Sequence, residues 1–324
     1  MKNFGFKSVW ANELSEYLLF RERSGYKIIT YVSSLRYFDN FCYSNSVDLG
    51  NFSKELADQI RIKPENISQI YHYNRVNAIK RFLEWMKLKG FDVCPPRDVS
   101  TNFVQHRPHI YTPDEIELYF NAVDTYNYGK SGKMAIILPV MLRIMYCCGT
   151  RIGETLNLKK ENIDLESGVV KVTNTKNGRE RYIILPDELK ILLKKYAQMV
   201  YWSLEDKSFL FSDKQLSLKS LSYGTIHHYH KEFLYKAGIP FLGDYKGPRL
   251  HDFRHTAIVR SCKQLIDSGM DMYTALPYLA AWAGHTMTES TEYYLRLTIE
   301  VYPYLQDKLK DTLDNVFAQM EIYK

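Results

Sequence analysis

Residues 169–185 carry the one β-type pattern in a chain of 324 residues, and that confinement constrains the fold more than any other feature. Val169-Val170-Lys171-Val172-Thr173 and Tyr182-Ile183-Ile184-Leu185 are β-branched and aromatic runs, the second ended by Pro186. Asn177-Gly178 stands between them and suits a tight hairpin, because both central residues of such a turn take positive φ. Lys176 lies immediately before that turn, at an exposed tip. Elsewhere the apolar residues recur at helical spacing, so the expected fold class is mainly α with a small antiparallel β-sheet.

From Trp10 to Gly90 the pattern is helical throughout. Leu14, Tyr17, Leu18 and Arg21 mark one amphipathic stretch, and Ile28, Val32, Leu35, Phe38 and Phe41 a second. A third begins after Pro64, burying Ile79, Phe82, Leu83 and Met86 and presenting Arg75, Arg81 and Lys87, a basic face that is either ordinary solvated surface or a contact for DNA. Prolines at 95, 96 and 108 then interrupt both helix and strand. The expected organisation is a helical domain over 1–95, a linker over 96–110 and a second domain over 111–324 with a helical tail. Thr112-Pro113-Asp114-Glu115 opens the second domain as an N-cap, a first-turn proline and two acids at the positive end of the dipole. A helix from about Lys133 to Tyr146 should stop at Gly149, leaving Arg151 at the next helix start, where backbone amides and side chain can converge on an anion.

A net charge of +6 and a pI near 8.8 suit a polyanionic partner without specifying one. The five cysteines are scattered in apolar surroundings and read as reduced core residues. No apolar run approaches the roughly 18 residues that span a bilayer, and the amino terminus lacks a signal pattern. The expected location is the cytoplasm, at the nucleoid.

Four separated pieces need a joint explanation: Arg151 in Cys148-Gly149-Thr150-Arg151-Ile152-Gly153-Glu154, Lys176 on the hairpin, His251 and Arg254 in His251-Asp252-Phe253-Arg254, and His285 followed nine residues later by Tyr294. In this order the set resembles the tyrosine recombinase or integrase family, and Arg181, five residues after Lys176, also fits the family's hairpin. The resemblance covers the whole second domain. The helical segment before it is similar, more weakly, to the family's SAM-like core-binding domain. What it implies is a core-binding domain joined to an α+β catalytic domain as a two-domain clamp. The activity implied is site-specific cutting and rejoining of DNA through a 3′-phosphotyrosine on Tyr294, without metal, ATP or other cofactor. With only a few residues before the first helix, no further arm-binding domain is expected. The implied partner is a double-stranded recombination site, bound as a homotetramer by a protein that is a monomer or weak dimer when free.

The residue types suit that chemistry. Arginines at 151 and 254 can hold phosphate oxygens through forked donors as charge develops on them. A phenol with a pKa near 10 needs somewhere to send its proton, and His251 is the natural acceptor. The departing 5′ oxygen is strongly basic; the resemblance assigns its protonation to Lys176. His285 would donate a further bond to phosphate. Arg181 and His228 join Arg75, Arg81 and Lys87 as expected DNA contacts.

Rival readings exist for several of these residues. Tyr293 competes with Tyr294, but its side chain would point about 100° away on a helix. Glu154 is expected to support Arg151 and do no chemistry. His251, His255 and His285 could be imagined around zinc, but Asp252-Phe253-Arg254 departs from the zinc-peptidase pattern and an arginine repels a dication. His227, His228 and His230 read as a polar helix face toward DNA. Between Arg254 and His285 the chain is longer than in many family members, and Leu276-Pro277-Tyr278-Leu279 resembles integrases of transposons and conjugative elements. Ala283 stands where the family often has leucine. The stripe Val301, Leu305, Leu309, Leu313 and Phe317 either packs on its own domain or docks on a neighbouring protomer. A type IB topoisomerase and a non-cleaving DNA-binding regulator of the same fold remain as alternative functions.

Overall fold

The computed structural model describes residues 4–100, 107–129, 131–173, 180–200, 204–212, 219–241, 247–284 and 288–305. The chain divides into two compact units, Met1–His106 and Arg107–Lys324.

In the first unit α1 (Ala11–Arg23), α2 (Ile29–Ser44), α3 (Lys54–Ile60) and α4 (Gln69–Leu88) enclose an aromatic core. Trp10, Phe38 and Phe82 meet edge to face at centroid separations of 5.4–6.3 Å, and the Trp10 indole N–H, buried with them, donates to the Val47 carbonyl. Ser53 and Ser68 cap α3 and α4 by accepting backbone N–H bonds two or three residues into each helix. Of the apolar positions read from the sequence, Leu14, Tyr17, Leu18, Leu35, Phe38, Ile79, Phe82, Leu83 and Met86 are buried, and Ile28, Val32 and Phe41 are partly buried against them. Helix α3 was not expected: seven residues give less than two turns, too short for a periodic stripe.

The second unit opens with α5 (Pro113–Asp124), where Thr112 and Glu115 form a reciprocal capping box. Helix α6 (Gly132–Cys148) runs through the core and ends at Gly149, whose φ of 59° places it in the left-handed region. The five-residue α7 (Ile152–Leu156) follows, then β1 (Ile163–Asp164), β2 (Val169–Val172) and β3 (Arg181–Ile184), an antiparallel sheet in the order β1-β2-β3. Val170 pairs with Ile183 and Lys171 with Tyr182, so Val170, Val172 and Ile183 face the core while Tyr182 and Ile184 are exposed. The hairpin expectation holds for both strands; its turn, with Lys176, lies outside the described residues. Strand β1, two residues long, is beneath what alternation can reveal.

Helices α8 (Asp187–Val200), α9 (Tyr223–Lys236), α10 (Asp252–Asp267), α11 (Met272–Ala283) and α12 (Thr288–Val301) complete the unit, with α10 packed against α6, α11 and α12. Of the terminal stripe, Val301 and Leu305 pack on α10–α12 of their own unit, and Leu309, Leu313 and Phe317 lie outside the described residues. All five cysteines are free thiols. Among the described residues no helix is long and apolar enough to cross a membrane.

Candidate active site

Two glycines in the left-handed region let the backbone close around the site. At Gly149 a Cβ would meet the Trp282 ring at 2.8 Å, and at Gly284 it would meet the Arg181 guanidinium at 3.0 Å. The end of α6 can therefore lie against Trp282 of α11, and Arg181 of β3 against the end of α11, only because neither glycine carries a side chain. The carbonyls at this junction are held by arginine: Arg254 donates from Nη1 to Gly149 O at 2.7 Å and from Nη2 to Ala283 O. Ala283, where leucine was the commoner expectation, is buried in the small cluster with Ile258, Val259, Tyr294 and Leu297.

Arg254 is 1% exposed, and burial followed by the nearby Arg151 charge lowers its pKa to about 10. A guanidinium has five N–H groups, so two carbonyl bonds fix its plane and leave donors for another ligand. Tyr294 receives one of them: its hydroxyl bonds to Arg254. The phenol is 5% exposed, and burial raises its pKa although Arg254 and Arg151 pull the other way. At neutral pH it is a protonated phenol hydrogen-bonded to the Arg254 guanidinium.

Arg151 stands at the start of α7 with its side chain 25% exposed. The Arg151 amide donates to Glu154 Oε2 at 2.9 Å, and that bond fixes the carboxylate at the start of α7. Glu154 also takes Arg151 Nη1 on Oε1 at 2.7 Å, the supporting role expected of it. Burial alone would push its carboxyl up; the bonds from Arg181, the Arg151 amide and the Arg151 guanidinium overcome that and hold the pKa near 2.

His251 precedes the first residue of α10, and burial together with Arg254, Arg151 and Arg249 lowers its pKa to about 4. It is a neutral base at neutral pH. Its ring meets the ring of His255 edge to face at 4.7 Å, and His255 in turn lies 5.3 Å from the Tyr294 ring. His255 was weighed from sequence only as a metal ligand; its place one helical turn beyond His251 was the available signal that it shares the tyrosine's surroundings. Arg151, His251, Arg254 and Tyr294 thus converge, each within electrostatic reach of others in the set. Lys176 and His285 lie outside the described residues. Tyr293 is half-buried beside Tyr294, with ring centroids 5.6 Å apart.

The expected DNA contacts divide. Arg181 is not a free cation on the hairpin: its side chain is 9% exposed, forks onto both Glu154 oxygens at 3.0 and 2.9 Å and donates from Nε to Trp282 O at 3.1 Å. Arg75 is not on the solvated face of α4; it is 8% exposed, with its guanidinium 4.0 Å from the Tyr37 centroid and 4.9 Å from that of Tyr71. His230 is likewise in the core, bonded through Nδ1 to the Tyr119 hydroxyl at 2.8 Å, so the three clustered histidines do not form one polar face. Arg81, Lys87 and His228 are exposed. Arg81 donates to the Tyr31 hydroxyl at 3.3 Å, and Arg21 lies 3.9 Å over the same ring, a pairing the sequence did not disclose.

The model of the phage integrase family matches residues 110–300 of the chain. A tyrosine recombinase XerA of Saccharolobus solfataricus is 29% identical over 252 residues, 78% of this chain and 71% of the relative. Among solved structures, the XerH site-specific recombinase bound to palindromic difH substrate in a post-cleavage complex matches with a TM-score of 0.64 at 16% identity, covering 89% of this chain and 79% of that one. A lambda integrase dimer bound to a COC′ core site matches with a TM-score of 0.62 at 16% identity, over 87% and 94%. At such identities the structural likeness bears on the fold.

Proposed function

The chain belongs to the phage integrase family of tyrosine-type site-specific recombinases, and on that premise we propose that it cleaves and rejoins duplex DNA through a 3′-phosphotyrosine on Tyr294, with no metal or nucleotide taking part. The observation that carries the reading is the convergence of Arg151 and Arg254 on the Tyr294 phenol, with His251 held beside the same two arginines. Arg254, fixed in plane by two carbonyls, and Arg151, fixed by Glu154, bind the non-bridging oxygens of the scissile phosphate and gain strength as charge accumulates there. His251, neutral at working pH, accepts the phenol proton directly or through solvent. The phenolate oxygen bonds to phosphorus, the bond to the 5′ oxygen breaks, and that oxygen leaves as a hydroxyl with a proton from Lys176. His285 adds a donor to the phosphate. The bond energy stays in the phosphotyrosine, and attack by another 5′-hydroxyl reverses the step on a new strand.

Because Tyr294 and Arg254 are both covered here, DNA must shift the phenol away from the guanidinium before the phosphate can take its place. The first unit supplies non-specific grip through Arg81, Lys87 and the Arg21–Tyr31 pair, with His228 on the second unit. Four copies exchanging strands between two sites complete the reaction.

The test is a nicked duplex that traps the covalent product. The wild-type protein should give an SDS-resistant adduct in the presence of EDTA, Tyr293→Phe should retain it, and Tyr294→Phe should give none. An adduct that survives Tyr294→Phe would remove the assignment.

A further inference from the structure

We propose that Arg181 is a positioning residue for cleavage, tying the base of the hairpin to the carboxylate that aims Arg151 and to the end of α11. The proposal rests on the recombinase reading above and adds to it a residue that touches neither phosphate nor phenol.

Arg181 opens β3, five residues after Lys176, and its Nε bond to Trp282 O reaches a carbonyl three residues before His285. Its two Nη atoms grip both oxygens of Glu154, whose opposite contacts are the Arg151 guanidinium and amide. Glu154 is therefore sandwiched between two arginines of unequal freedom. Arg181 donates from all three nitrogens to protein acceptors and is nearly buried, whereas Arg151 spends one Nη on Glu154 and stays partly exposed. One arginine is the strut and the other the tool. Gly284 belongs to the same device, because the Arg181 side chain occupies the space its Cβ would need.

The charge of Arg181 matters as well as its bulk. Burial drives Glu154 toward the neutral acid, and the Arg181 fork is the largest influence opposing it. With Arg181 gone, a single arginine and one amide remain, and Glu154 takes up a proton at a higher pH. A neutral Glu154 holds Arg151 more weakly, so the clamp loses its aim as pH falls. The charged groups that face Glu154 are Arg151 at the start of α7 and Arg181 on β3, while Arg254 and His251 of the α10 segment are close enough to feel its charge.

The full-length protein is assayed on a nicked duplex bearing a sequence that the wild type selects from a random pool, with adduct formation followed at saturating DNA across acid to neutral pH. Arg181→Met should slow the step roughly 100-fold, the usual scale for a misplaced catalytic group. It should also introduce an acid limb at higher pH than the one His251 imposes on the wild type. Glu154→Gln placed in the same variant should abolish that new limb, and Arg181→Lys should recover part of the rate. Parallel pH profiles in wild type and variant, or a limb that persists with Gln at position 154, would overturn the proposal. A second measurement needs no DNA: a carboxyl ¹³C titration of Glu154 should move upward in Arg181→Met and less in Arg181→Lys. An unmoved midpoint overturns the coupling even if cleavage is lost. A moved midpoint in a protein that never forms an adduct supports the coupling and rejects the recombinase reading instead.

Discussion

Two arginines of the first unit and three of the second are held in different ways. In the first, Arg21 and Arg75 rest on tyrosine faces, and among the described residues neither is paired with a carboxylate. In the second, Arg151, Arg181 and Arg254 are bound to carboxylate or carbonyl oxygens at defined atoms. A ring face attracts a cation without consuming its N–H groups, so the charge is placed while the donors stay available. An oxygen acceptor consumes a donor and fixes direction in return. Where the guanidinium also reaches solvent, as Arg21 does and the buried Arg75 does not, the first arrangement suits a grip on a regular polyanion; the second suits the aiming of a charge at one atom.

The difference is tested most severely at Arg254. Arg254→Gln removes two fixed donors and a charge, and adduct formation should fall by about 1000-fold or more, the scale reached when preorganised donors to a developing oxyanion are lost. Arg254→Lys keeps the charge but not the fork, and should recover little. Thermal melting of both variants separates lost chemistry from lost folding. Near-normal adduct rates in Arg254→Lys would mean that charge alone suffices and that direction is not what the second unit provides.

Much of this aiming apparatus was legible in the sequence because its signals are local. Gly149 ends a helix and Asn177-Gly178 separates two β runs, so local signals exposed the hairpin strands and the helix end, while the resemblance to the recombinase family singled out Arg151, His251, Arg254 and Tyr294. What escaped depends on partners distant in the chain. Arg181 was expected at DNA because nothing near it hints at Glu154, 27 residues away, or Trp282, 101 away. Arg75 was placed on the solvated face of α4 although two tyrosines cover it, and His230 was read as surface although Tyr119, 111 residues off, holds it in the core. A polar residue on a helix declares its face only as well as the neighbouring apolar stripe is narrow, and in both helices that stripe is wide.

A smaller effect, about 2 kcal/mol, concerns the acid sensitivity of the second unit. His230 is fully buried, and burial lowers its pKa from 6.5 to about 3. The folded second unit keeps it neutral while the unfolded chain protonates it below 6.5, so its contribution is complete above that pH and is lost progressively as pH falls toward 3. At pH 5 the loss from this one group is about 1.4 kcal/mol per pH unit over 1.5 units, roughly 2 kcal/mol. Urea unfolding at pH 7 and pH 5 should show the loss in the wild type and its reduction in His230→Gln, which keeps a partner for Tyr119 but does not titrate. Equal losses in wild type and variant would show that the acid sensitivity lies elsewhere.

The smallest effect falls on the grip. Each phosphate contact contributes about 0.9 to the slope of log affinity against log salt, so Arg21→Ala and Arg81→Ala should each lower that slope by roughly 1 on non-specific duplex while leaving the melting temperature nearly unchanged. Tyr31→Phe deletes the hydroxyl that Arg81 uses but keeps the ring under Arg21, and should reduce the slope less than either arginine change. Arg75→Met is the internal control: that guanidinium also lies on rings, but with only 8% of it exposed it has no route to a phosphate, and its loss should lower stability without touching the salt dependence. Should Arg75→Met change the slope as much as Arg21→Ala, exposure would not be what selects the gripping arginines. Should neither Arg21→Ala nor Arg81→Ala change it, the cations around Tyr31 would be structural, and the contrast between gripping and aiming would fail for the first unit.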